Sequence, residues 1–280
     1  MRALFLIPGD AVRQLQALPA VAACAEQLGF AMQVACDPKL ASLWTLLPAV
    51  EKVLPFSFES ASLADWANLM GSVREPDFQA CINLARGRQV DLMLSMSHIP
   101  NRIAAAGFSA TSTVTPASGG WPAQALAAYL EPIGVTLQAE AFRLRLPAEA
   151  LQRAKDEWPP GDGPLLLLAP AGGTVDWPAD RWAALPPSIG SRLPNLRHRL
   201  LPPTSGGSAL ERAALVASAD VVLASDPITQ ELALLCGVPL VALGRASETL
   251  PTRQGLRAVG VAGDLASLAE APVLQALGLG

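Results

Sequence analysis

The stretch ADVVLASDPITQELALLCGVPLVALG, residues 219–244, decides the fold class. Val221 to Ala224 run apolar without alternation, as in a parallel strand covered on both faces. Asp226-Pro227 comes next, a carboxylate suited to the N-cap and a proline preorganised for the first helical position. Gly237 supplies the left-handed residue on which helices end, and Leu240 to Leu243 re-enter the sheet. Strand, capped helix and strand in 26 residues make one βαβ unit, the building block of a parallel sheet.

The same rhythm extends in both directions. RALFLI (2–7) predicts a buried first strand, broken by Pro8-Gly9-Asp10, and residues 11–28 carry Val12, Leu15, Leu18 and Val21 on one helical face before Gly29. AMQVAC (31–36) and EKVLPF (51–56) read as strands, with helices at 38–48 and from about Ser62 to Met70. Residues 79–88 read as a helix, VDLMLSMS (90–97) as a strand, and PNRIAAAGF (100–108) and 122–135 as helices. PPGDGP (159–164) is the strongest linker signal. After it come strands at 165–170, 197–201, 220–225 and 239–244, with helices at 178–189, 209–219, 227–236 and 267–277. This predicts an α/β chain with an N-terminal domain at 1–150, a linker at 151–164 and a second domain at 165–280.

Composition narrows the function. Of 280 residues, 51% are hydrophobic and 16% charged, enough for two cores of roughly 140 residues each. A formal charge of −4 without a basic stripe argues against a nucleic-acid partner. Cys24, Cys36, Cys81 and Cys236 are scattered, as expected of reduced, buried thiols. His98 and His198 stand apart from other ligand types, so no metal site is expected. The N-terminal apolar run is too short for a signal h-region or a membrane span, which predicts a soluble, cytoplasmic protein.

In open α/β sheets, ligands bind beyond the carboxyl ends of the strands, where helix N-termini offer N–H groups to anions. That rule selects 8–11, 169–178, 202–208 and 225–229. Each also has a purely structural use: Asp10 and Asp226 as helix caps, Gly172-Gly173 as a tight turn. The TSGGS segment (204–208) lacks the Lys-Ser/Thr ending of a P-loop and reads as a mobile loop.

ERAALVASADVVLASDPITQELALLCGVPLVALGRAS (211–247), the early Gly9-Asp10, and LLLLAPAGGTVDWPADRWAAL (165–185) together resemble glycosyltransferase family 9, the ADP-heptose:lipopolysaccharide heptosyltransferases. The resemblance covers both halves in order. It implies a GT-B-like architecture of two doubly wound Rossmann-like domains with a cleft between them. It also implies metal-independent, inverting transfer of a sugar, such as heptose, from a nucleotide-diphosphate donor to a lipopolysaccharide-core-like or other glycan acceptor. The nucleotide sugar, ADP-heptose-like, would be a substrate, and no cofactor is implied. The partners would be that donor and a glycan or glycolipid acceptor, met by a monomer in peripheral contact with the inner membrane face.

Carried over residue by residue, the resemblance makes Asp10 the general base. Gly172, Gly173, Thr174, Trp177, Arg181, Asp226, Ile228 and Thr229 fall on the donor side and Gly9 on the acceptor side; His98, following an expected strand end in SMSHIPNR, would border the acceptor side too. The chain departs from the family where phosphate is held. Pro227-Ile228 replace Thr-Gly, Glu231 stands where His is usual, and Val175-Asp176 replace a basic pair. Arg181 and Arg245 are the candidate replacement cations. The alternative reading is a catalytically degenerate GT-B-fold protein that binds or scaffolds in glycan assembly; an epimerase of the same layout is a third.

Overall fold

The computed structural model describes residues 1–74, 77–203 and 208–279. The chain divides into two compact units, Met1–Phe142 and Arg143–Gly280.

The first unit holds strands β1 (Arg2–Leu6), β2 (Ala31–Cys36), β3 (Val50–Pro55), β4 (Phe78–Asn83), β5 (Asn101–Ala104) and β6 (Ser112–Thr113). They pair in the order β3-β2-β1-β4-β5-β6, every neighbour parallel. Ala3 to Ile7 are at most 1% exposed, because β1 is central and covered on both faces. Helix α1 (Ala11–Leu28) starts on Asp10, whose carboxylate accepts the Arg13 N–H, and ends on Gly29 at φ +64°. Its Leu15, Leu18, Val21 and Cys24 are buried. Helix α2 (Leu63–Arg74) contributes Leu69 and Val73 to the core, and a 3-10 helix spans Pro38–Leu46.

Residues 79–108 depart from the sequence reading. The expected helix at 79–88 is strand β4, the expected strand at 90–97 is helix α3 (Arg88–Ser95), and the expected helix at 100–108 contains strand β5. In α3 the buried Val90, Asp91, Met93 and Leu94 make a helical stripe, while Leu92 is 55% and Met96 45% exposed. Short apolar runs do not reveal their period by themselves; position beside β1 makes 78–83 a strand. The helix expected over 122–135 breaks into α4 (Pro122–Ala125), α5 (Ala127–Leu130) and a 3-10 turn at Glu131–Ile133. Pro132 lacks the N–H that a continuing helix needs.

The second unit holds β7 (Leu165–Ala169), β8 (Arg197–Leu200), β9 (Val221–Ala224), β10 (Leu240–Leu243) and β11 (Leu256–Val259). Their order is β11-β10-β9-β7-β8, again all parallel. Helices α6 (Ala148–Asp156), α7 (Ala179–Gly190), α8 (Ala209–Ala217), α9 (Pro227–Cys236) and α10 (Glu270–Ala276) accompany them. Gly237 closes α9 at φ +79°, and a Cβ there would come within 2.3 Å of Arg143 Nε. Helix α6 packs on α8, and the Trp158 indole donates to Ser218 Oγ at 2.8 Å. The segment expected as a linker, 151–164, thus lies inside the second unit, and the chain divides at Phe142 instead. Strand β11 escaped the sequence reading because LRAV shows neither a long apolar run nor a clear period.

Candidate functional site

Each sheet has a switch point, where successive connections leave on opposite sides: between β1 and β4 in one unit, between β7 and β9 in the other. Loops beyond the carboxyl ends of such strands part and leave a crevice.

In the second unit the loop after β7 meets the loop after β9. The Ser225 and Asp226 N–H groups both donate to Ala169 O, at 3.0 and 3.1 Å, and the Ala171 N–H donates to Ser225 Oγ at 2.8 Å. Gly172 and Gly173 turn the chain at φ +79° and +89°. Buried Asp176 holds that turn, accepting the Gly172 and Trp177 N–H groups at 2.7 Å each. Gly172, Gly173 and Thr174 are exposed, whereas Asp226 and Thr229 are buried at the junction and Ile228 is half-buried. Trp177 is buried as well. It is 2% exposed, stacks edge-on to Trp182 at 5.2 Å and donates its indole N–H to Leu268 O at 2.9 Å. Arg181 donates to the same carbonyl.

Asp226, 4% exposed, is the hub of this site. One carboxylate oxygen accepts the Thr229 N–H at 2.9 Å, the Thr229 hydroxyl at 2.5 Å and Arg212 Nη2 at 3.1 Å. Arg212 Nε donates to Thr229 Oγ1 at 3.0 Å, closing a three-residue ring. Pro227 has no N–H to offer, and the Gln230 N–H goes to Asp226 O. The first turn of α9 therefore presents few donors to an anion. Glu231, 1% exposed, pairs with Arg245 at 2.9 Å, and Arg245 also donates to the Thr249 hydroxyl and carbonyl. Both cations singled out from sequence are thus committed inside the fold, and so is Arg212, which sequence reasoning passed over and which the ring with Asp226 and Thr229 holds at this loop. A lone arginine on the otherwise apolar helix face 209–219 was its signal.

In the first unit, Gly9 takes φ +100° and Asp10 stands exposed at the carboxyl edge of β1. Buried Gln14 fixes this loop: its amide donates to Ile7 O at 2.9 Å and accepts the Trp44 indole at 3.1 Å. Gln230, four residues beyond its own N-cap aspartate, does likewise for β9 and β10, donating to Ala224 O and Leu243 O. Beside Asp10 opens a cavity of about 720 Å³ whose wall includes Gly9, Arg13, Asp37, Lys39 and Phe58. Asp37 accepts the Lys39 N–H at 3.0 Å and the Ser57 hydroxyl at 3.1 Å.

His98 lies elsewhere. Because 88–95 is helical, His98 precedes β5 instead of ending a strand, and so sits at the amino edge, opposite Asp10. It takes φ +63°, with Arg74 Nη2 3.1 Å from its Nε2. Residues 204–207, read from sequence as a mobile loop, lie outside the described residues. Among the described residues no group of three or more His, Cys, Asp or Glu is placed to hold a metal, and no helix is long and apolar enough to cross a membrane.

No family model matches the chain, and no curated protein matches it in sequence. Solved structures match it along its length. The glycosyl transferase family 9 structure from Veillonella parvula gives a TM-score of 0.75 at 14% identity, covering 98% of this chain and 90% of that one. E. coli ADP-heptose lps heptosyltransferase II gives 0.76 at 15%, covering 99% and 98%. E. coli heptosyltransferase WaaC with ADP-2-deoxy-2-fluoro heptose gives 0.71 at 14%, covering 99% of each. At such identity the likeness establishes the fold: two Rossmann-like units of the GT-B class.

Proposed function

We propose that this chain is a glycosyltransferase moving a sugar from a nucleotide-diphosphate donor, ADP-heptose-like, to a glycan acceptor such as a lipopolysaccharide core, with inversion and without a metal. The observation that carries the reading is Asp10: an exposed carboxylate at the carboxyl edge of the central strand, beside a ligand-sized cavity, in a fold shared end to end with heptosyltransferases. In the proposed step the acceptor hydroxyl oxygen bonds to the anomeric carbon while Asp10 takes its proton. The anomeric carbon's bond to the diphosphate breaks, and the nucleotide leaves with that electron pair. The loops at 171–177 and 226–229, with the Asp226–Arg212 pair behind them, would hold the donor. The reaction would run in the cytoplasm, by a monomer reaching a glycolipid acceptor at the inner membrane face.

Two measurements test this. A nucleotide present at about 100 times its dissociation constant stabilises its site by roughly 2.7 kcal/mol, visible as a raised Tm. ADP or ADP-heptose is expected to do so; a flat response across nucleoside diphosphates at millimolar concentration leaves the binding or scaffold reading in its place, which the occupied donors of α9 favour. Asp10→Asn keeps the helix cap, since Asn caps as well as Asp. It is expected to lower kcat by about 10²–10⁴ with nucleotide binding intact. Unchanged turnover would remove Asp10 as base.

A further inference from the structure

The cavity at Asp10 has a neighbour with which it shares part of its wall. Ser57 and Ser60 also line a second depression of about 440 Å³, between the end of β3 and α2, where Asn68 and Ser72 offer polar groups over Phe56 and Leu69. Each space falls within the rough 300–1,000 Å³ range of small-molecule sites. Phe58, half-buried at the boundary, is held edge-on by Phe56 (centroids 4.9 Å, 80°) and by Trp66 (6.4 Å, 70°). A ring fixed in this way gives the C–H face of a sugar an apolar platform without loss of side-chain freedom.

Charge decides what such a surface accepts. Among the described residues, Asp10, Asp37 and Glu59 line the first cavity with Arg13 and Lys39, and the second adds Asp65 without a lining cation. Hydrogen bonds from the Ser62 hydroxyl and N–H hold the Asp65 carboxyl below its usual range, so it stays charged. In the second depression a phosphate or carboxylate on the ligand would meet the like charge of Asp65, while hydroxyls find Ser57, Ser60, Asn68 and Ser72.

We infer that the two depressions form one binding surface for an uncharged glycan of at least two sugars, the reacting sugar between Asp10 and Phe58 and the next over Ser57 and Ser60 toward Asn68 and Ser72. This rests on the glycosyl-transfer reading and narrows the segment of the acceptor that this surface holds to an uncharged one.

The test is a saturation-transfer NMR titration of the whole protein with methyl glucoside, galactoside and mannoside, the matching disaccharides, the 6-phosphate of each, and ADP as a separate arm. One neutral disaccharide is expected to bind about tenfold tighter than its monosaccharide, as one or two added hydrogen bonds give, and tighter than its 6-phosphate. Phe58→Ala is expected to weaken it about fivefold. Glu59→Lys, on an exposed residue that leaves the fold alone, is expected to move the preference toward the 6-phosphate several-fold at low salt. The inference is overturned if phosphorylated glycans bind wild type as well as neutral ones, if disaccharide and monosaccharide bind alike, or if no glycan in the panel binds. ADP binding without glycan binding sinks this inference alone; glycan binding without nucleotide binding sinks the transfer reading and leaves this surface standing.

Discussion

Asp226 shows how one side chain serves several purposes. Its capping role was legible in the sequence, from Asp-Pro before an apolar helix and Gly after it. Its partner was not, because Arg212 lies 14 residues away and reaches Asp226 only when α8 and α9 pack together. The pair is secluded, with side chains 14% and 5% exposed. Removing one member strands the other, so Asp226→Ala is expected to cost about 3–5 kcal/mol. If that cost comes from the stranded guanidinium, the double variant Asp226→Ala/Arg212→Met recovers at least about 1 kcal/mol in urea denaturation. Simple addition of the two single losses would assign the effect to the cap. The same ring explains how the loop is held with Pro227-Ile228 in it: Thr229 and Arg212 satisfy Asp226 from within.

At the scale of elements, strand ends are fastened to the helices that follow them by buried glutamines. Gln14 satisfies Ile7 O and the Trp44 indole; Gln230 satisfies Ala224 O and Leu243 O. Gln14→Leu leaves a buried carbonyl and a buried indole N–H without partners, with an expected loss of about 2 kcal/mol. Equilibrium unfolding in urea checks it, and a loss below about 0.5 kcal/mol would mean that the loop relaxes to satisfy both groups. Strands β1, β2, β7, β9 and β10 were readable because each is a buried run bounded by turn residues. The exchange of helix and strand over 79–108 had a physical origin. Short segments of mixed polarity such as QACINLA and VDLMLS fit either period, and the pairing of β4 with β1 and β5 settles the matter through contacts far apart in sequence. That exchange is also what carried His98 to the wrong edge of the sheet.

Across the whole molecule, burial controls chemistry as well as stability. Cys24, Cys36 and Cys81 are fully buried; desolvation pushes the Cys24 thiol up to about 12, the Cys36 thiol up to about 11, and the Cys81 thiol up as well. In the unfolded chain these thiols titrate near 9.0. Above that pH the unfolded chain releases protons that the folded chain still holds, so stability falls between about pH 9 and 11, by up to about 1.4 kcal/mol per pH unit for each thiol. Urea midpoints at pH 8 and pH 10 test this, and Cys24→Ala should flatten the slope by one thiol's share; equal midpoints for wild type would show that water reaches these sites. The sequence by itself determined the α/β class, the two parallel sheets and the capped loops at Asp10 and Asp226, because apolar runs, caps and turn glycines act over a few residues. The tertiary structure alone decided that Trp177, Arg181 and Arg245 are tied up within the fold, that Arg212 pairs with Asp226, and that Asp10 shares a cavity with Phe58 and Glu59. Those outcomes depend on which strand ends become neighbours, and sheet order is set by burial summed over the whole unit, which no local stretch of chain encodes.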